Sequence, residues 1–340
     1  MKYFDCHADT LTQVIKEGES LEKNTCDIDL QRIEKFADTY TQIFAIWKNR
    51  KEILPGTESS VFRKSYEKAI EKKIKVVGLT DYYLIEGYQR FKEEYLKNTN
   101  KLKKISNIYA STISEEMKKD LEFSDEEIGQ IKEILFLPNI EFREKTVIGG
   151  HKVNFHVIFS DKVKPDEIKT YFLNKIEYEH KRKTYHLEEK SLKDLGVIMK
   201  CDNPKLKKGD LAVGMEQVRI SISEVIEKLK NEKRFLNKYL ILIDPDEDLS
   251  KIDWISQDSS ARKDFIYCSD AFFTSEKNTV KFGLAQLPNQ SIKKFKETFG
   301  GLKPTFHGSD AHNFEKMFEP DLKRYTWIKA RPTFEGLKQV

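Results

Sequence analysis

The sequence predicts an α/β protein: a distorted, TIM-like β/α barrel with charged helical insertions, formed as one domain over residues 1–340. Three observations point to it. Short β-branched and aromatic runs recur between longer helix-patterned stretches, as strands do when they alternate with helices around a parallel sheet. Two pairs of metal-ligating type, His7-Ala8-Asp9 and Asp310-Ala311-His312, follow short apolar runs at opposite ends of the chain. Further acids and a histidine fall in or at the ends of other runs, and a β/α barrel gathers its active site at the C-terminal ends of its strands.

In order along the chain, strands are expected at Tyr3–Cys6, Gln42–Trp47, Lys75–Leu79, Ile134–Glu141, Val153–Phe159, Tyr239–Ile243, Phe265–Cys268, Thr305–Phe306 and Thr326–Ile328. The first helical pattern with a clear face runs from Phe62 to Lys73, where Phe62, Tyr66, Ala69 and Ile70 recur at helical spacing. Glu86–Glu133 and Lys162–Phe235 are rich in Lys and Glu and are expected to be helical insertions. Such charge runs are ordinarily solvated faces. The sharper alternative is a basic lip over the site, built from Lys181-Arg182-Lys183 and Lys205-Leu206-Lys207-Lys208, that holds a polyanion.

Composition bounds the partners. Sixty basic and 56 acidic residues leave a net charge of +4, which neither demands nor excludes nucleic acid. Cys6, Cys26, Cys201 and Cys268 are scattered without paired spacing, as reduced cysteines are. No apolar stretch approaches the roughly 20 residues of a membrane span. A cytoplasmic protein with no membrane association is expected.

The candidate site rests on side-chain direction. Residues two apart at a strand end point the same way, so His7 with Asp9, and Asp310 with His312, can each contribute N and O donors to one centre. Such a mixture suits Zn, Mn or Fe better than Mg or Ca. Asp81 ends the run Gly78-Leu79-Thr80, Glu141 ends another, His156 lies inside Asn154-Phe155-His156-Val157, and Asp270 follows Cys268-Ser269. Each has a plainer reading. A histidine in an apolar strand is commonly a hydrogen-bonded core residue, and Asp81 and Asp270 are rival helix N-caps. His151, His180 and His186 read as surface residues. Arg143 and His307 are the nearest cations for phosphoryl oxygens, Arg143 being equally suited to pair with a nearby carboxylate.

At these residues the chain resembles a known superfamily. From about Leu54 it is similar to the PHP (polymerase and histidinol phosphatase) superfamily, in the version that opens TrlF-type ATPases. The matching runs are Gly78-Leu79-Thr80-Asp81-Tyr82-Tyr83, Leu137-Pro138-Asn139-Ile140-Glu141-Phe142-Arg143, Asn154-Phe155-His156, Ser269-Asp270-Ala271-Phe272, Lys303-Pro304 through His312, Arg324 through Lys329, and Pro332 through Leu337. The resemblance implies a PHP-type barrel, a site of two or three divalent metals, phosphoesterase chemistry, and Glu141, His156, Asp310 and His312 as ligands. The first fifty residues differ. Where PHP proteins carry Asp-x-His-x-His, this chain has Asp5-Cys6-His7-Ala8-Asp9, and residues 1–50 look more like the start of the membrane (renal) dipeptidase family.

A metal-dependent phosphoesterase acting on nucleic acid or nucleotide phosphodiesters is therefore expected. The alternatives are a metallo-dipeptidase, or a catalytically degenerate module regulating an ATPase. Chains of the resembling type continue into an ATPase, whereas this sequence contains no Gly-x-x-x-x-Gly-Lys-Ser/Thr loop. A hydrolase module truncated or split from an ATPase partner, in defence against foreign nucleic acid, is the expectation from that resemblance.

Overall fold

The computed structural model describes residues 66–100, 122–146, 153–245, 247–252, 254, 259–309, 318–326, 328 and 330–339. The strands expected at Tyr3–Cys6 and Gln42–Trp47 lie outside them. Residues 66–71 are helical, with Tyr66 and Ala69 buried as their spacing predicts. Six strands form one curled sheet in the order β1, β2, β3, β6, β7, β8. They are β1 (Val76–Tyr82), β2 (Leu135–Arg143), β3 (Asn154–Phe159), β6 (Tyr239–Asp244), β7 (Ala271–Phe273) and β8 (Thr305–Phe306). A separate hairpin pairs β4 (Glu177–His180) with β5 (Lys183–His186).

The sheet corrects the expectation of an all-parallel sheet. β3 runs antiparallel to both β2 and β6, while β1–β2, β6–β7 and β7–β8 are parallel. The described strands form an open, curled half-barrel. Reversing β3 brings its N-terminal half to the C-terminal ends of its neighbours, so His156 reaches the mouth although it is only the third residue of its strand.

Alternation gives the sheet two different faces. Val77, Leu79, Ile140, Phe142, Phe155, Val157, Ile241 and Ile243 pack into the large core beneath the helices. The concave face carries Val76, Leu137, Ile158, Leu240, Leu242, Ala271 and Phe306 in a second apolar cluster, sealed by Ile328 and by Phe334 and Leu337 of the last helix (Phe334–Lys338). Nearer the mouth the same face turns polar: Thr80, Asn139, Glu141 and His156 are all buried there.

Helix starts follow local chemistry. The helix α1 (Glu86–Arg90) has no side-chain cap at Ile85. Its first-turn donor, the Tyr88 N–H, is met by Asp81 Oδ2 at 2.9 Å. A Cβ on Gly87 would lie 2.2 Å from Asp81 Oδ1, so glycine is what lets the carboxylate sit against the backbone. The helix α2 (Asp125–Lys132) opens with a capping box, in which Ser124 Oγ accepts from Glu127 N–H and Glu127 Oε2 accepts from Ser124 N–H.

The second insertion is not purely helical. It holds α3 (Pro165–Tyr171), the β4–β5 hairpin, α4 (Glu189–Asp202), α5 (Asp210–Gln217) and α6 (Ile222–Asn231). Many of its cations are already matched: Lys181 with Asp202, Lys200 with Asp210, Lys193 with Glu189, and Lys208 with Glu216. Those pairings favour a solvated charged face over a polyanion-binding lip.

Two further strand assignments are corrected. Phe265–Tyr267 ends the helix α7 (Ser259–Tyr267), Cys268 lies just past it, and the strand follows at Ala271–Phe273. Thr326 and Ile328 are not in a strand. Among the described residues no helix is long and apolar enough to cross a membrane.

Candidate metal centre

The polar half of the concave face is built by register. On antiparallel β2 and β3, Glu141 stands directly opposite His156, and Arg143 opposite Asn154. Across the parallel pair Tyr82 adjoins Glu141 and Thr80 adjoins Asn139. On the far side Asn154 faces Asp244 and His156 faces Leu242. Directly opposed residues hold their Cβ atoms about 5 Å apart, close enough for the Glu141 carboxylate and the His156 imidazole to share one ion.

His156 is 4% exposed, and its ring stacks on Phe273 with centroids 5.1 Å apart. Burial lowers its pKa to about 4, so the imidazole is neutral at physiological pH, the form that binds metal. Asn139 Nδ2 lies 2.7 Å from Thr80 Oγ1 and 3.2 Å from His156 Nδ1. Asn139 Oδ1 is buried without a hydrogen-bond partner. An amide's two ends are distinguished only by the network around them. With the amide turned over, Oδ1 would accept from the Thr80 hydroxyl and from a proton on His156 Nδ1, leaving the Nε2 lone pair for an ion and making Nδ2 the unmet end. That tautomer is the one fixed when a ligating histidine donates its other ring N–H.

The other candidates are placed as follows. Arg143 sits on the concave face at the rim, its guanidinium 5.5 Å from the centre of the Tyr82 ring. His307 follows β8 at the mouth end, its backbone N–H bonded to Thr326 Oγ1 at 2.9 Å. Asp81 is on the opposite face of β1, where its carboxylate accepts from the first turn of α1. Asp270 precedes β7 at its N-terminal end, away from the strand exits. Its Oδ2 accepts the Ile241 N–H at 2.7 Å, and burial raises its pKa. His7, Asp9, Asp310 and His312 lie outside the described residues, as does His151.

Asp244 is the rim residue that the sequence reading omitted. It ends β6, in line with Asn154 and Arg143 across the sheet. Its signal was the acid ending Leu240-Ile241-Leu242-Ile243-Asp244, the same pattern that marks Glu141.

Glu141 and His156 supply one oxygen and one nitrogen donor, a combination that fits a Zn-, Mn- or Fe-type ion. Two donors do not complete a site. Among the described residues no group of three or more His, Cys, Asp and Glu side chains is arranged to hold a metal.

No family model matches the chain, and no curated protein matches it. Among solved structures, it is similar to a protein of Bifidobacterium adolescentis described as a "putative metal-dependent phosphoesterase". The two share 13% identity over 81% of this chain and 88% of that one, with a TM-score of 0.33. At that level the likeness decides neither fold nor chemistry.

Proposed function

We propose that the protein is a metal-dependent phosphoesterase acting on nucleotide or nucleic-acid phosphodiesters. The observation that carries this reading is the buried Glu141–His156 pair, held opposite one another by strand register at the mouth of a half-barrel. Support comes also from the sequence runs that resemble the PHP superfamily. In this reading Glu141 and His156 are joined by Asp310, His312, His7 and Asp9, and two or three Zn, Mn or Fe ions are held. Bound divalent ions lower the pKa of a coordinated water and polarise a phosphoryl oxygen.

The chain's own residues have separate tasks. Asn139 and Thr80 orient His156 and hold its proton on Nδ1. Arg143, its guanidinium held over the Tyr82 ring, offers its donors to the non-bridging oxygens of a substrate at the rim. His307 follows β8 at the strand exit, and in this reading it donates to the same group. An ATPase partner and a role in defence against foreign nucleic acid belong to the proposal through the resemblance alone.

The test combines elemental analysis with turnover of bis(p-nitrophenyl) phosphate after chelation and Mn or Zn add-back. Metal-restored activity should fall by a hundredfold or more in Glu141→Ala and His156→Ala. Wild-type turnover in both variants would refute the proposal. Dipeptides assayed in parallel test the peptidase alternative.

A further inference from the structure

The segment 324–326 crosses the exits of β7 and β8 and carries a cation to the mouth. Arg324 Nη1 donates to Ser275 O at 3.1 Å and to Ser275 Oγ at 3.0 Å, two residues past the end of β7. Thr326 fastens the same segment at β8 by accepting the His307 N–H at 2.9 Å. β7 in turn touches the candidate site, because its last residue, Phe273, is the one stacked on His156.

Two observations separate this arginine from the solvated cations of the surface. The first is charge balance. Arg90, Arg234 and Arg262 are each paired with a glutamate. Arg324 is partly buried, yet among the described residues it pairs with no carboxylate. A guanidinium withdrawn from water keeps its full charge, so withdrawal without a counter-charge is unfavourable. An anion at the mouth would supply what the chain does not. The second observation is backbone cost. Leu322 and Lys323, which deliver Arg324 to Ser275, hold left-handed backbone at φ 56° and 53°. Neither is glycine, and both side chains are exposed, so no packing of their own offsets the strain.

Position narrows the anion. Glu141 and His156 lie on the adjacent strands β2 and β3, with Arg143 beside them on β2. Ser275, which anchors Arg324, follows β7. Three strand spacings separate β2 from β7, about 14 Å along the sheet. The cleaved phosphate belongs at the Glu141–His156 pair beside Arg143. A cation anchored beyond β7 is placed for the next phosphate along the same chain.

We infer that Arg324 binds a second phosphate of the substrate, the neighbour of the one cleaved, so that the substrate is an oligonucleotide rather than a mononucleotide ester. Its place beside a cleaved phosphate rests on the phosphoesterase reading, whereas the Arg324–phosphate contact itself does not.

The probes are a deoxyadenosine trinucleotide with two phosphodiester links and its two analogues in which one link or the other is a neutral methylphosphonate. Titration calorimetry under chelation reads their binding to the full chain, and product chromatography with Mn reads turnover. One analogue should bind the wild type tenfold or more weakly than the parent. In Arg324→Gln that difference should vanish, and in Arg324→Lys it should persist in part, as a double-mutant cycle requires of a direct contact. Melting temperatures screen both variants for folding; if the glutamine variant does not fold, the lysine variant decides by the same comparison. A merely structural arginine would weaken all three probes alike, and that result overturns the inference, as does failure of the trinucleotide to bind. Arg324-dependent discrimination without Mn-restored turnover would keep the phosphate contact and refute only the phosphoesterase reading.

Discussion

Asn139 links Thr80 of β1 to His156 of β3 through one buried amide, so it ties three strands together at the candidate site. Asn139→Leu keeps the volume but strands the Thr80 hydroxyl and His156 Nδ1 in an apolar setting. It should cost about 1–3 kcal/mol in urea unfolding. Zn or Mn affinity, measured by titration calorimetry, should fall about 10- to 100-fold, the usual cost of losing a residue that orients a ligand. His156 gives the metal-free protein a pH signature. Its folded pKa is lowered by burial to about 4 from an ordinary 6.5. Its stability contribution is therefore full above pH 6.5 and declines as pH falls towards 4, because the unfolded chain takes up the proton first. The shift corresponds to about 3 kcal/mol. Urea midpoints at pH 7 and pH 4.5 should show the loss, and His156→Gln should reduce it; identical slopes in both proteins would remove His156 as its source. That Glu141 and His156 stand side by side at the mouth was legible because strand position and residue type coincide. That Asp81 turns to the helix side was not, because it rests on a one-residue difference in parity; there its carboxylate meets the first turn of α1. Asp244 was missed because the strand was ended at Ile243, one residue short.

Among the described elements, α4 and α5 pack backbone against backbone. A Cβ on Gly196 would lie 1.8 Å from Asp210 O, and one on Gly214 equally close to Leu192 O. Neither neighbour can yield, since both are backbone. Gly196→Ala or Gly214→Ala should push the helices apart and destabilise the insertion by roughly 1–3 kcal/mol, read by thermal melting. Metal binding at Glu141 and His156 should persist, since neither helix carries those residues. Several strands were legible because their runs were long and bounded: β1, β2, β3, β6 and β8 fall within a few residues of the sequence reading. Phe265-Ile266-Tyr267-Cys268 was read as a strand because a short apolar run has no period to tell it from a helix end. The direction of β3 was illegible for a different reason. Apolar alternation fixes which residues face inward, not which way the strand runs.

For the whole molecule, the concave face divides the work between the two ends of the sheet. Phe334 of the closing helix is buried in the apolar cluster with Val76, Leu137 and Leu240. Phe334→Ala should cost about 3–5 kcal/mol, measured by denaturant unfolding, while leaving the metal affinity of the folded fraction unchanged. An equal loss of metal affinity would show that the two ends are coupled. The division also separates the protein in time. Amide protons at the sealed end of β1, Val76 to Gly78, sit under packed side chains and should exchange with deuterium only when the whole fold opens. Those of Thr80 to Tyr82, in the same strand but beside the polar mouth, should exchange through smaller local openings. One strand would thus carry both the slowest clock in the protein and a much faster one, with the change falling where the face turns polar.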